Sequence, residues 1–153
     1  MRRCALRIAG GADKCKYAVE ELGFDACIDY KQHSDVKALS KALKEACPNG
    51  IDGYFENVGG YILDAVLLRT NAFARVALCG MIAGYDGQPL PLANPALLLV
   101  NRIKLEGFIV SEHMEVWGEA LTELGGLVAA GKLKPRETVS EGLASAPAAF
   151  LGL

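Results

Sequence analysis

Short apolar runs alternate with segments of helical period along most of the chain. Apolar positions three and four residues apart predict amphipathic helices, and continuous apolar runs predict buried strands. The predicted strands lie at residues 4–9, 26–28, 51–55, 74–79 and 104–110. The predicted helices lie at residues 15–22, 36–46, 59–68, 96–102 and 115–130. Because strand and helix alternate, we expect parallel strands joined by right-handed crossovers, and therefore an α/β fold with a doubly wound sheet.

Two of the predicted helices carry further signals. Ser34 and Asp35 offer an N-cap immediately before the apolar positions of segment 36–46. Segment 115–130 has one apolar stripe, and we expect its Trp117 to lie in the core. The stripe comprises Trp117, Ala120, Leu121, Leu124 and Val128.

The composition places the chain among globular proteins with a substantial core. It has 153 residues, of which 52% are hydrophobic, and a formal net charge of −2. This charge provides no electrostatic attraction for nucleic acid or for an anionic membrane surface. The longest apolar run, residues 95–100, is too short to cross a bilayer. We therefore expect one soluble, cytoplasmic domain with neither nucleic acid nor membrane as a partner.

The cysteines and histidines do not indicate a metal site or a disulfide framework. The five cysteines, at positions 4, 15, 27, 47 and 79, form no C-x-x-C pair. His33 and His113 have no metal-type partner four residues later. We expect no bound metal, and we expect the thiols to be reduced. Four of the cysteines are expected to be small core or helix residues rather than nucleophiles: Cys4, Cys15, Cys27 and Cys47.

A doubly wound sheet binds its ligands at the carboxyl ends of the strands. Glycine-rich or polar segments follow four of the predicted strands here, at residues 10–14, 30–31, 56–60 and 79–85. Such segments bring a backbone close to a ligand, but they are equally common as simple turns. The G-x-G-x-x-G phosphate fingerprint is absent, so either the fold does not bind dinucleotides or the sequence begins after that motif. The absence of Y-x-x-x-K, G-x-S-x-G and a P-loop argues against short-chain dehydrogenases, α/β-hydrolases and NTPases.

Several strings of the sequence resemble one enzyme group from end to end. They include GGADKC at 10–15, ELGFDA at 21–26, DYK at 29–31, YFENVGG at 54–60, CGMIAGY at 79–85 and EGFIV at 106–110. With these strings the chain resembles the zinc-independent, NADPH-dependent enone reductases of the medium-chain reductase family. This group includes the leukotriene B4 12-hydroxydehydrogenase/prostaglandin reductases and the curcumin reductases.

The resemblance implies a Rossmann-like domain that lacks its first strand and glycine-rich pyrophosphate turn. Residues 1–153 would then be a partial NADP-binding domain, a fragment that is inactive by itself. The whole enzyme would transfer a hydride from NADPH to the C=C bond of an enone or alkenal. Two alternatives stay open: a quinone or acyl-CoA reductase of the same superfamily, and a non-catalytic Rossmann-like remnant.

The resemblance also assigns cofactor contacts. Lys14 and Tyr30 would contact the 2′-phosphate of NADP, although the acidic Asp13 leaves the choice between NAD and NADP open on chemistry alone. Asn57 would bind the ribose or the amide region. In the loop 79–85, Cys79, Gly80, Met81 and Ile82 would lie along the nicotinamide. Phe108, Ile109 and Val110 would contact its carboxamide through their backbone groups.

Tyr85 is the candidate catalytic residue under the same resemblance. A phenol at this position donates a hydrogen bond to an oxygen of the cofactor or substrate as enolate charge develops. The resemblance further implies a homodimer in which the edge strand 104–110 pairs with its copy. Lys104 and Glu106 would then pair across the twofold axis, while Phe108 and Val110 are buried on one face.

Overall fold

The computed structural model describes residues 4–152. It confirms the α/β prediction, with helices and strands that alternate along the first two thirds of the chain. The strands are β1 (Leu6–Ala9), β2 (Ala26–Asp29), β3 (Ile51–Glu56), β4 (Thr70–Leu78) and β5 (Lys104–Gly107). The helices are α1 (Ala12–Glu20), α2 (Val36–Ala46), α3 (Gly60–Leu67), α4 (Ala96–Val100), α5 (Trp117–Ala129) and α6 (Ala146–Leu151). Among the described residues, no helix combines the length and apolarity needed to cross a membrane.

All strand pairs are parallel, but the strands form two sheets. One sheet has the order β1-β2 and the other has the order β3-β4-β5. Ile8 is opposite Ile28 in the first sheet. In the second, Val76 lies between Tyr54 and Leu105. Within the described residues, the outer edge of β1 and the outer edge of β3 have no strand partner.

Local chemistry determines where the helices begin. The Asp35 carboxylate accepts a hydrogen bond from the Ala38 N–H at 2.8 Å, so the predicted N-cap of α2 is confirmed. Helices α1 and α3 instead begin after Gly11 and Gly59, whose φ angles are 99° and 77°. This left-handed backbone is inexpensive only for glycine, and it turns the chain sharply from strand into helix.

The core lies between the helices and the two sheets. Leu39 and Leu43 of α2 pack with Ile62 and Val66 of α3, and all four side chains are buried. Ile8 of β1 and Tyr54 of β3 pack against this same cluster, so both sheets share one helical layer. A second cluster of Leu63, Leu67 and Val76 lies between α3 and β4.

Two expectations about the later part of the chain are wrong. The strand predicted at 104–110 ends at Gly107, and a short 3-10 turn begins at Val110, whose side chain is 62% exposed. Trp117, expected in the core, is 37% exposed, and Leu121 of the same stripe is 63% exposed. The chain divides into two compact units, and the second begins at Gly118. Among the described residues, neither α5 nor α6 contains a buried side chain, so the stripe has no packed core around it.

Candidate functional site

The carboxyl ends of β3, β4 and β5 form one edge of the larger sheet. The chain after β4 is held to the turn after β3 by backbone hydrogen bonds. Cys79 and Gly80 donate to the Glu56 carbonyl at 2.9 and 3.1 Å. Ile82 donates to the carbonyl of Asn57 at 3.1 Å, and Ala83 donates to that of Val58 at 3.0 Å. The loop 79–85 and the turn 56–60 therefore form one rigid wall.

An open cavity of about 440 Å³ lies beside this wall, between the ends of β4 and β5. Five of the predicted cofactor residues line it: Cys79, Gly80, Met81, Phe108 and Ile109. The remaining lining residues are Leu78, Gly107 and Glu112. The Phe108 ring packs against Phe55 of β3, with the ring centroids 6.1 Å apart. The cavity thus has an apolar wall and an edge of backbone groups.

Tyr85 and Asn57 do not line the cavity, but both approach it at Gly80. A Cβ atom placed on Gly80 would lie 3.2 Å from the Tyr85 hydroxyl and 3.4 Å from Asn57 Oδ1. Glycine therefore lets a phenol and an amide oxygen come close to the same stretch of backbone. Ile82 and Val110 are predicted cofactor residues with exposed side chains outside the cavity lining.

Glu56 is a buried carboxylate to which the sequence analysis assigned no role. Its Oε1 atom accepts hydrogen bonds from the N–H groups of Val58 and Gly59, the latter at 3.0 Å. Its Oε2 atom is buried and has no hydrogen-bond partner among the described residues. Burial, and then the charge of Glu56, raise the pKa of Tyr54 well above its usual range. A glutamate directly after a strand and before a glycine turn was the available signal in the sequence.

Lys14 and Tyr30 lie at the carboxyl ends of β1 and β2. Lys14 is exposed in the first turn of α1, and Tyr30 directly follows β2. A Cβ atom on Gly10 would lie 2.9 Å from the Tyr30 hydroxyl, so the phenol rests on the turn that leads into α1. The structure thus brings these two predicted residues to one edge of the smaller sheet.

Asp29 fixes the geometry of that edge. Its carboxylate accepts hydrogen bonds from the N–H of Gly11 at 2.8 Å and of Lys31 at 3.1 Å, and from the Gln32 amide at 3.2 Å. These donors lower the pKa of Asp29, with the Gly11 N–H as the largest cause. The first turn of α1 is therefore held to the end of β2. Within residues 4–152, no group of three or more His, Cys, Asp or Glu side chains could hold a metal ion.

The chain matches one protein family and is similar in sequence to several curated reductases. The family described as zinc-binding dehydrogenase matches residues 6–125. The chain is 41% identical over 153 residues to the NADPH-dependent curcumin reductase of Escherichia coli (strain K12). This match covers 95% of the chain and 43% of that protein. It is 37% identical over 156 residues to prostaglandin reductase 1 of Rattus norvegicus, covering 100% of the chain and 46% of that protein.

Solved structures agree with this assignment. CurA from Vibrio vulnificus in complex with NADPH is 42% identical, with a TM-score of 0.83 over 96% of the chain and 44% of that structure. Escherichia coli quinone oxidoreductase complexed with NADPH has a TM-score of 0.70 at 19% identity, over 87% of the chain and 40% of that structure, which shows a shared fold alone. The chain spans less than half the length of these relatives.

Proposed function

Because this chain belongs to the zinc-binding dehydrogenase family, we propose that it carries part of the NADP site of an enone or alkenal reductase. The resemblance to NADP-dependent reductases is confirmed by relatives that include a curcumin reductase and a prostaglandin reductase. The observation that carries the proposal is the cavity at the ends of β4 and β5. It brings together residues from two separate segments of the chain.

We infer that this cavity would hold the nicotinamide ring. Its volume of about 440 Å³ lies within the range of small-ligand sites. Phe108 and Ile109 would offer an apolar face to the ring. The N–H groups of Cys79 and Gly80 already bind the Glu56 carbonyl, so polar contacts to a carboxamide would come from the remaining backbone groups of residues 79–81. Gly107 leaves room for a close approach of the ligand to the backbone, because a Cβ atom there would meet only the Leu78 carbonyl, at 4.0 Å.

Tyr85 and Asn57 would complete the reactive end of the site. When bound, NADPH supplies the hydride that adds to the β-carbon of an activated double bond. The Tyr85 hydroxyl beside Gly80 would donate a hydrogen bond to the oxygen on which negative charge develops. Asn57, held by its carbonyl to the N–H of Ile82, would orient the ribose or amide region.

Lys14 and Tyr30 would determine the preference for NADP. A lysine in the first turn of α1 adds a positive charge to a helix N-terminus, which already favours anions. Asp29 holds this turn in place through the Gly11 N–H. The 2′-phosphate would then bind the Lys14 ammonium group and the Tyr30 hydroxyl.

The described fold supports the proposal that residues 1–153 are part of a larger NADP-binding domain. The outer edges of β1 and β3 are unpaired in the described residues, although both strands pack on one helical layer. A further parallel strand of the same protein between them would join the two sheets. The turn after that strand would donate an N–H to Glu56 Oε2, whose burial without a partner is otherwise costly.

The test joins this chain to the preceding part of the Escherichia coli curcumin reductase. We expect the joined protein to consume NADPH with an enone, but not with the saturated ketone of the same skeleton. The chain alone should bind NADPH weakly and consume none. Enone-independent NADPH consumption, or enone reduction by the chain alone, would overturn the proposal. The Escherichia coli quinone oxidoreductase is only 19% identical and shares the fold alone. It therefore does not support the alternative that this chain belongs to a quinone reductase.

For the assembly, we propose a cytoplasmic homodimer that forms through β5. This strand is the edge of the larger sheet and has no partner on its outer side among the described residues. Lys104 and Glu106 pair within the chain at 2.7 Å, so forming the interface would require them to exchange partners. Sedimentation at micromolar concentration should give a dimer of the joined protein; a monomer would refute this assembly.

A further inference from the structure

Two cysteines that are twelve positions apart meet in the smaller sheet. The Cys27 thiol of β2 donates a hydrogen bond to the Cys15 sulfur of α1 at an Sγ–Sγ distance of 3.0 Å. A disulfide requires about 2.05 Å, so the two sulfurs need to approach by only about 1 Å. The pair connects two elements that already pack closely, and both cysteines are free thiols.

The pair is accessible to a small reagent. Cys15 and Cys27 both line an open groove of about 360 Å³ that also includes Asp29, Gln32 and His33. Burial raises the pKa of the Cys27 thiol to about 12, and the hydrogen bond to Cys15 adds to this rise. Burial and the hydrogen bond that Cys27 donates to Cys15 both disfavour the Cys27 thiolate, so we expect a reagent in the groove to react first with Cys15.

We propose that Cys15 and Cys27 form a reversible redox dithiol that is oxidised by small disulfides of the glutathione class. In the first step, the Cys15 sulfur attacks the reagent disulfide and forms a mixed disulfide, and one glutathione thiol leaves with the proton. In the second step, Cys27 attacks the Cys15 sulfur and releases the second glutathione as a thiol. The two protein thiols are oxidised to one disulfide, and the reagent is reduced to two thiols.

The consequence is a covalent bond between α1 and β2. Oxidation would close a short loop that runs from Cys15 through the end of α1 into β2. The Asp29 hydrogen bond to Gly11 already holds the same two elements at the other end of this edge. Intracellular disulfides of this kind are commonly transient and responsive to redox state.

The experiment treats the native chain with oxidised glutathione, quenches the reaction with acid and maps the linked peptides by mass spectrometry. We expect a Cys15–Cys27 peptide that dithiothreitol removes. Its formation should be at least about tenfold faster than in the urea-unfolded chain, because folding holds the sulfurs together. The rate should also rise with pH, because each of the two steps is an attack by a thiolate, and the charges of Arg7 and Asp29 act in opposite directions on the ionisation of Cys27.

Single variants identify the order of attack. Cys27→Ser should accumulate the glutathione adduct of Cys15, whereas Cys15→Ser should leave Cys27 reduced. Cys4→Ser is the matched control, because Cys4 is exposed and outside the groove, and it should keep the Cys15–Cys27 link. The proposal is overturned if native Cys15 and Cys27 stay reduced while the exposed Cys79 forms its adduct. Equal rates in the native and unfolded chains would overturn it as well.

Discussion

Replacing Glu56 with alanine should destabilise the chain, because one buried oxygen atom satisfies two backbone donors. Glu56 Oε1 accepts from Val58 and Gly59 at the turn that leads into α3. A buried N–H without an acceptor costs about 1–3 kcal/mol. Two such groups would cost about 2–6 kcal/mol, and removing the buried charge with its unpartnered Oε2 offsets part of this loss. We therefore expect Glu56→Ala to lower the free energy of unfolding by about 2–4 kcal/mol.

The assay is urea unfolding followed by far-ultraviolet circular dichroism, with Glu56→Gln as the informative comparison. Glutamine keeps a carbonyl oxygen for the two N–H groups and removes the charge. The free energy of unfolding of Glu56→Gln should stay within about 1 kcal/mol of the parent. Glu20→Ala is the surface control, because its side chain is 60% exposed and lies 3.9 Å from Lys16. It should change the free energy by no more than about 0.5 kcal/mol.

Two results would refute this reasoning. If Glu56→Ala costs no more than Glu20→Ala, the two hydrogen bonds contribute nothing net to the stability of the turn. If Glu56→Gln costs as much as Glu56→Ala, the charge rather than the acceptor geometry stabilises the start of α3. In the joined protein, Glu56→Gln should also weaken NADPH binding, because the proposed donor to Oε2 would meet an amide N–H there.

The other predictions concern the two ends of the proposed cofactor site. Lys14→Ala in the joined protein should weaken NADPH binding by about 10- to 100-fold and leave NADH binding unchanged; fluorescence titration that shows equal losses for both cofactors would contradict the phosphate contact. Tyr85→Phe should lower kcat for an enone by about 100-fold with little change in the KM for NADPH; a kcat within twofold of the parent would remove Tyr85 from the reaction. Asp29→Asn tests the pH dependence of stability. Because the folded pKa of Asp29 is lowered, its carboxylate stabilises the fold above its ordinary pKa of 3.8. This contribution is lost as the pH falls through the folded value. The urea midpoint of the parent should exceed that of Asp29→Asn at neutral pH, and the difference should vanish below both pKa values; a constant difference would refute the assignment.

The order of elements and the parallel pairing were predictable from the sequence, because each depends on local pattern. Apolar periodicity located α2, and the Asp35 side chain fixed its start through a hydrogen bond three residues away. The resemblance named Cys79, Gly80 and Phe108 as site residues, and the fold gathers them into one cavity. Ligands bind at the carboxyl ends of parallel strands, so glycine and polar residues that follow a predicted strand mark candidate site residues in the sequence itself.

Only the tertiary structure decided which distant groups meet. Cys15 and Cys27 belong to different elements, and neither periodicity nor spacing indicates a 3.0 Å separation of their sulfurs. The Glu56 backbone carbonyl accepts hydrogen bonds from Cys79 and Gly80, which follow β4 and are distant from it in sequence. The stripe on α5 shows the reverse case, because its helical period is present while four of its five side chains are exposed. Periodicity specifies a helix and its apolar face, but burial requires a partner surface that a local pattern does not contain.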